Sequence, residues 1–265
     1  MIKKFAAACA EDDRVVSAFV GGSFATGTTD ERSDLDLYAV IRADAYDHFL
    51  EQHRAFFERW ADPVFLEPFD GFGFDMLIFI LDGGLEGELA IAKDDNFLHI
   101  HGGPYRALID RSGLLEGVEF PWHGPTHDEQ LRVLTRHINW FWRDLSLLST
   151  AMARGQRWTA YGYLESMRRR CINLIRIDRD FGSWPDGYEK LESVVGDEDL
   201  AHLARSFSSL DEAAILNSVK VLISFYREIA PRLALQHGIE YPKPVEEVVL
   251  KREAHLLTEG REQSG

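Results

Sequence analysis

The apolar pattern of this 265-residue chain changes period at residues 121–127, Pro-Trp-His-Gly-Pro-Thr-His. After that point Leu131, Leu134, Ile138, Phe141, Leu145, Leu148 and Met152 follow at unbroken steps of three or four, one face of a long α-helix. A second helix is expected over 159–179, with Leu164, Met167, Cys171 and Leu174 on one face. A third passes through Leu216, Val219, Ile223, Tyr226 and Ile229 and ends by Gly238, with Pro242 and Pro244 beyond it. Thr126 with Glu129, and Ser209 with Glu212, have the spacing of capping boxes that open the first and third of these helices. Evenly spaced amphipathic helices of this length pack as an antiparallel bundle.

Before the change of period the patterns are mixed. Residues 15–20 form a run rich in β-branched side chains that ends at Gly21-Gly22. Leu35, Leu37 and Ala39 alternate with Asp34, Asp36 and Tyr38, the period of a strand. Tyr46, Phe49, His53, Phe56 and Trp60 define one helix face. Residues 74–81, 88–92 and 105–109 read as further strands, the first two joined by a turn at Asp82-Gly83-Gly84. The expected class is therefore α+β: a mixed β-sheet with flanking helices over 1–124, a helical bundle over 125–257, and a polar, frayed tail over 258–265.

Hydrophobic residues make up 45 % and charged residues 28 % of the chain, an ordinary globular balance with no apolar run of membrane-spanning length. The start, Met-Ile-Lys-Lys-Phe-Ala-Ala-Ala-Cys-Ala, is cut short by Glu11, Asp12 and Asp13 before it reaches the length of a signal-peptide core. It reads as an amphipathic helix, and the expected location is cytoplasmic. Cys9 and Cys171 stand far apart without metal-ligand spacing and are expected as buried thiols. The net charge is −15; residues 1–124 hold 23 acidic against 10 basic side chains, and residues 125–265 hold 21 against 19. An acidic surface repels nucleic-acid backbones and steers cationic small molecules, although solubility alone also accounts for an acid excess.

The segment from Gly21 to Tyr38, GGSFATGTTDERSDLDLY, carries the chemistry. Two carboxylates two apart on a strand share a face, and their repulsion is relieved by a cation. Magnesium fits, because it takes a few carboxylate oxygens and leaves positions for phosphate and water. Gly22-Ser23, between a strand and the next helix, lets backbone N–H groups and a hydroxyl approach a phosphate, and Gly27 permits a tight turn. An Asp-x-Asp pair alone is usually a solvated strand edge, and Gly-Ser alone a loop. Their order here, between apolar strands, is what gives them meaning.

This order resembles the signature of the nucleotidyltransferase superfamily: Gly-Ser, a Gly a few residues on, then Asp-x-Asp. It is most similar to the bacterial lincosamide nucleotidyltransferases of the larger type. Similarity covers residues 14–38, Leu77-Ile78-Phe79 with Gly87-Glu88, and residues 154–176. The resemblance implies magnesium-dependent transfer of a nucleoside monophosphate, from ATP or another nucleoside triphosphate, to an antibiotic hydroxyl. It implies Asp34 and Asp36 as metal ligands, Gly22 and Ser23 at the nucleotide, and a third carboxylate on a later strand as general base. Asp75 and Glu88 both qualify; the Gly87-Glu88-Leu89 context favours Glu88, and Asp75 is otherwise the cap of its strand. The departing pyrophosphate needs cations, and Arg168, Arg169, Arg170, Arg176 and Lys190 are candidates, of which Arg169, Arg176 and Lys190 are favoured.

Other features have plainer explanations. His99 and His101 alternate on an expected strand without a third zinc ligand. Trp140, Trp142 and Trp158 are expected in the core rather than against a base or sugar. There is no Walker loop and no Gly-x-Gly-x-x-Gly fingerprint. The expected partners are a nucleoside triphosphate and a small hydroxylated, cationic acceptor, with no nucleic acid and no membrane; a homodimer is left open. The alternatives are the same chemistry on an aminoglycoside, another metabolite or a protein hydroxyl, and a non-catalytic nucleotide-binding or antitoxin-like module.

Overall fold

The computed structural model describes residues 1–121 and 124–254; the expected tail at 258–265 lies outside them. The chain divides into two units, Met1–His123 and Gly124–Gly265.

The first unit opens with α1 (Ile2–Glu11), followed by β1 (Val15–Val20), α2 (Gly22–Thr26), β2 (Leu35–Ile41), α3 (Tyr46–Glu58), β3 (Pro63–Phe69), β4 (Asp75–Leu81), β5 (Glu86–Lys93) and β6 (Arg106–Asp110). The strands form one sheet in the order β3-β4-β5-β2-β1-β6. Among the described residues only β2 and β5 pair in parallel, so the sheet is mixed. Alternation sorts the strand residues into two layers. Leu35, Leu37, Ala39, Leu77, Phe79, Leu89 and Ile91 face Phe5 and Cys9 of α1 and Phe49, Phe56 and Phe57 of α3. Phe19, Val40, Ala90 and Ala92 face the other way, against Phe97, Ile100, Leu115 and Phe120.

Strand β3 was not foreseen. It is an edge strand that carries Pro63 and Pro68 and buries Leu66 while Val64, Phe65, Glu67 and Phe69 stay exposed, so no clean alternation marks it; proline is tolerated there because an edge has no second ladder to feed. The expected strand through His99 and His101 is absent. Residues Leu98–Ile100 form a single 3₁₀ turn, and no alternating pair of imidazoles arises. The turn at Asp82–Gly84 is present, closed by Leu81 N–H to Leu85 O at 2.8 Å.

The second unit contains α4 (His127–Ala153), α5 (Arg157–Arg179), α6 (Leu191–Val194), α7 (Asp197–Ala204), α8 (Glu212–Gln236) and α9 (Lys243–Arg252). The three long helices bury the expected stripes around Trp142, Phe141, Met167, Cys171, Leu222 and Tyr226. The Thr126–Glu129 capping box is formed: Glu129 N–H donates to Thr126 Oγ1 at 3.3 Å and Thr126 N–H to Glu129 Oε2 at 2.9 Å. The Ser209–Glu212 box is not. Asp211 is the N-cap and takes the Ser209 hydroxyl on its own carboxylate at 2.6 Å, which leaves Ser209 outside the helix. Helix α9 follows the two prolines noted beyond Gly238, and Pro244 stands in its first turn, where a missing N–H costs nothing. Trp142 is in the core as expected, whereas Trp140 is 38 % exposed and Trp158 79 % exposed. Both thiols are buried, and burial pushes each up in pKa.

Candidate active site

The site is built where β1 leaves the sheet. Val20 pairs with Leu37 across the β1–β2 ladder, and Gly21 N–H then donates to Asp36 O at 3.0 Å, which holds the departing chain against β2. Gly22 follows in the left-handed region at φ 53°, and a Cβ there would collide with Asp36 Oδ2. Only glycine lets the Asp36 carboxylate and this backbone come so close. Gly21 is packed almost as tightly: a Cβ would lie 2.8 Å from His101 Cε1 and 3.0 Å from Tyr38 Cε2. Helix α2 is short and ends at Gly27, whose φ of 76° lets its N–H donate to Ser23 O at 2.9 Å. The Ser23 hydroxyl oxygen is buried without a partner among the described residues.

The loop that follows is fixed by Asp30. Its carboxylate accepts Arg32 N–H at 2.8 Å and the Ser33 hydroxyl at 3.1 Å, and these bonds lower its pKa. Asp34 comes next, exposed and one residue ahead of β2, rather than inside the strand as its spacing implied. Asp36 lies within β2 and is half-buried.

The parallel ladder decides which third carboxylate joins them. Asp36 is the register partner of Glu88 on β5, so the two side chains sit on neighbouring strands and on the same face. Gly87 permits this approach, since a Cβ there would collide with Leu35 O and the Phe79 ring. Asp75 pairs with Ile91, three residues along β5 from Glu88, and that odd offset turns it to the α3-covered face. There it accepts the Tyr46 hydroxyl at 2.7 Å. The ladder thus brings Asp36 and Glu88 together and keeps Asp75 away from them.

Burial, then the charges of Asp36 and Asp34, push the Glu88 carboxyl above its ordinary pKa. Burial, then Asp36, Glu88 and Asp34, push the Tyr38 phenol up as well. Neither Asp34 nor Glu88 has an ion pair among the described residues. No three His, Cys, Asp or Glu side chains among the described residues close into a ready metal cage. The donor set still fits magnesium, which binds through one or two carboxylates and fills its remaining positions with phosphate and water. Tyr38 and His101 were not singled out as site residues. They form an aromatic floor under Gly21, with ring centroids 4.7 Å apart, and the alternation of Tyr38 with Asp36 is the signal that placed Tyr38 on this face.

The basic candidates lie in the second unit. Arg168 is fully buried; it donates to Ser206 Oγ at 2.9 Å and Ser206 O at 2.7 Å and pairs with Glu165, so its role is structural. Arg170 pairs with the buried Asp144 at 2.5 Å. Arg169 is exposed, 3.2 Å from Glu165 and stacked over Tyr188. Arg176 Nη1 donates to Glu189 O at 2.7 Å and Gly187 O at 3.3 Å. Lys190 is exposed, adopts φ 48° and lies 3.6 Å from Glu189.

With this geometry in place, comparison with known proteins gives the class. The family model for the nucleotidyltransferase domain matches residues 2–80, which takes in β1, Gly22, Ser23, Asp34 and Asp36. No curated protein matches the sequence significantly. Among solved structures, the chain is similar to an aminoglycoside 6-adenyltransferase from Bacillus subtilis, at 12 % identity, with 97 % of each chain covered and a TM-score of 0.46. It is also similar to a nucleotidyltransferase-like protein from Exiguobacterium sibiricum, at 12 % identity over 86 % of this chain and 72 % of that one, with a TM-score of 0.39. A third is Cid1 in complex with the UTP analogue UMPNPP, at 13 % identity over 85 % and 63 %, with a TM-score of 0.26. The protein carries a nucleotidyltransferase domain, and the domain match sets its enzyme class. No helix among the described residues is long and apolar enough to cross a membrane.

Proposed function

We propose that the protein transfers a nucleoside monophosphate from a nucleoside triphosphate, ATP first among them, to a hydroxyl group of a small cationic molecule, with a lincosamide-type antibiotic as the acceptor. The observation that supports this most directly is the pairing of Asp36 with Glu88 across the parallel ladder, beside the glycine-tight turn at Gly22. Asp34 and Asp36 are the residues to hold magnesium, which when bound neutralises charge on the triphosphate. Glu88 accepts the acceptor's hydroxyl proton, because an alcohol is a poor nucleophile at neutral pH. The acceptor oxygen bonds to the α-phosphorus, the bond from that phosphorus to the bridging oxygen of the β-phosphate breaks, and pyrophosphate leaves with that electron pair. Gly22 and Ser23 offer backbone N–H and hydroxyl groups to the phosphates, and Arg169, Arg176 and Lys190 supply positive charge for the pyrophosphate.

The acidic balance of residues 1–124 supports a cationic acceptor over a nucleic acid. The lincosamide assignment rests on the resemblance of residues 14–38 and 154–176. Acceptor choice resides in pocket walls that the carboxylate geometry does not define, so aminoglycosides and other hydroxylated acceptors belong in the same test. The test is incubation with magnesium, each labelled nucleoside triphosphate and a panel of lincosamides, aminoglycosides and a protein acceptor, read by mass spectrometry. A lincosamide heavier by one nucleoside monophosphate is the expected product. Modification of another member alone replaces the acceptor, and no transfer to any of them overturns the reading.

A further inference from the structure

The second unit contains a cavity of about 500 Å³ between α4, α5 and the chain after α5, lined in part by Arg136, His137, Trp140, Arg170, Trp184 and Asp186. Its size is that of a small-molecule site. Its walls are unusual for a chain of net charge −15. Trp140 and Trp184 are 38 % and 40 % exposed. Trp140 carries Arg136 and Arg170 against its ring, with guanidinium carbons 5.0 Å and 5.4 Å from the ring centroid. Arg170 is neutralised by Asp144, but Arg136 has no carboxylate partner among the described residues. A guanidinium held over an aromatic ring keeps a fork of donors for a carboxylate or phosphate.

His137 adds a further donor. Gly187 N–H donates to Asn173 Oδ1 at 3.1 Å, which fixes the orientation of that amide. Asn173 Nδ2, 3.3 Å from His137 Nε2, is then the donor of that pair and Nε2 the acceptor. Burial, with Arg170 and Arg136 nearby, pushes the His137 pKa down to about 4, so the ring is neutral and its proton sits on Nδ1. Nδ1 has no partner among the described residues.

We propose that this cavity binds a planar aromatic ring bearing an anionic group, with the ring against Trp184 and the anion on Arg136. The chemistry is shared by aromatic carboxylates and by nucleoside monophosphates. Asp186, two residues from Trp184 and also lining the cavity, favours a ring that also carries a hydrogen-bond donor such as an amino group. The site does not depend on the proposed transfer reaction, since its lining among the described residues comes from the second unit.

The test is calorimetry and tryptophan fluorescence on the full chain with EDTA present. The probes are AMP and anthranilate, with adenosine and aniline as rings without an anion and inorganic phosphate as an anion without a ring. AMP or anthranilate should bind at least tenfold more tightly than its uncharged counterpart and than phosphate; which of the two binds identifies the source of the anion. Arg136→Gln and Trp184→Leu should each weaken binding at least tenfold, with Arg136→Lys and Trp184→Phe retaining more of it and circular dichroism unchanged. Asp36→Ala should leave binding intact. Absence of binding by both anionic probes, equal binding of the uncharged rings, indifference to Arg136→Gln and Trp184→Leu, or loss in Asp36→Ala would each overturn the proposal.

Discussion

The helical core and the β2–β5 site arrange their charges in opposite ways, although elsewhere in the sheet unit the buried Asp12 is matched by Arg14 and Arg59. In the helical unit, opposite charges are matched: Arg168 with Glu165 and Ser206, Arg170 with Asp144, and Arg227 and Lys243 on Glu246 at 2.6 Å and 3.2 Å. Burial pushes the Glu246 carboxyl up, but these two cations bring it below its ordinary pKa. At the β2–β5 site, like charges are gathered: burial, Asp36 and Asp34 all push Glu88 the other way. Matched charges hold a fold together, and breaking one pair strands its partner. Gathered carboxylates oppose one another until a cation arrives, so they mark a place kept for a ligand.

The comparison breaks most visibly at Asp36. We predict that Asp36→Ala lowers transfer by at least roughly 10³-fold with magnesium supplied, since it removes a carboxylate proposed to hold the metal. Its thermal midpoint should equal or exceed that of the parent, because one of the opposed charges is gone. Turnover near the parent's level would remove Asp36 from the metal site.

Next in size is the proton acceptor. Glu88→Gln should slow the chemical step by roughly 10²–10⁴-fold while nucleoside triphosphate affinity holds. Asp75→Asn should stay near normal, since Asp75 lies on the α3-covered face and Asn still accepts the Tyr46 hydroxyl. Single-turnover rates for the two variants separate the roles. A slow Asp75→Asn beside a normal Glu88→Gln would reverse the assignment, and a loss of magnesium-triphosphate binding in Glu88→Gln would make Glu88 a metal ligand.

In the helical unit the largest effect should be on stability, not chemistry. Asp144 is 3 % exposed and receives both Arg170 and the Ser166 hydroxyl. Asp144→Asn leaves a half-enclosed guanidinium without its counter-charge and should cost about 3–5 kcal/mol in denaturant unfolding. The double change Asp144→Leu with Arg170→Met should recover most of that loss, because two apolar groups replace two buried charges. A loss under about 1 kcal/mol for Asp144→Asn would show that water already screens the pair.

The same contrast explains what could be read before the structure was known. The strand of Asp36 and the long helices were legible because burial imposes a period, and a period survives in sequence. Glu88 and Asp75 were not separable that way. Both stand on strands, and what distinguishes them is the β2–β5 register, a pairing between segments some fifty residues apart that leaves no local mark. Strand β3 was hidden because an edge tolerates prolines. The Ser209 cap failed because Asp211 competes for the same hydroxyl at two residues' distance. Trp140 was expected in the core, but three arginines, on its own helix and on α5, stand around it, and cation–π partners carry no hydrophobic signature that a sequence would show.

The smallest predicted effect falls on Arg176. Its Nη1 already donates to the carbonyls of Gly187 and Glu189, beside the strained backbone of Lys190 at φ 48°. Arg176→Ala therefore removes a charge and loosens a turn at once, and the two contributions need separating. If the charge acts on the triphosphate, affinity for a non-hydrolysable triphosphate should fall about five- to tenfold, roughly 1 kcal/mol, and the gap from the parent should narrow as salt rises. Arg176→Lys should restore much of the affinity, since it keeps the charge while losing the planar fork that grips two carbonyls. If the turn alone matters, Arg176→Lys should behave like Arg176→Ala, with a lowered thermal midpoint in both and no dependence of the affinity gap on salt. Calorimetry at two ionic strengths, with the acceptor titrated in parallel, distinguishes these outcomes, and an unchanged triphosphate affinity takes Arg176 out of the site.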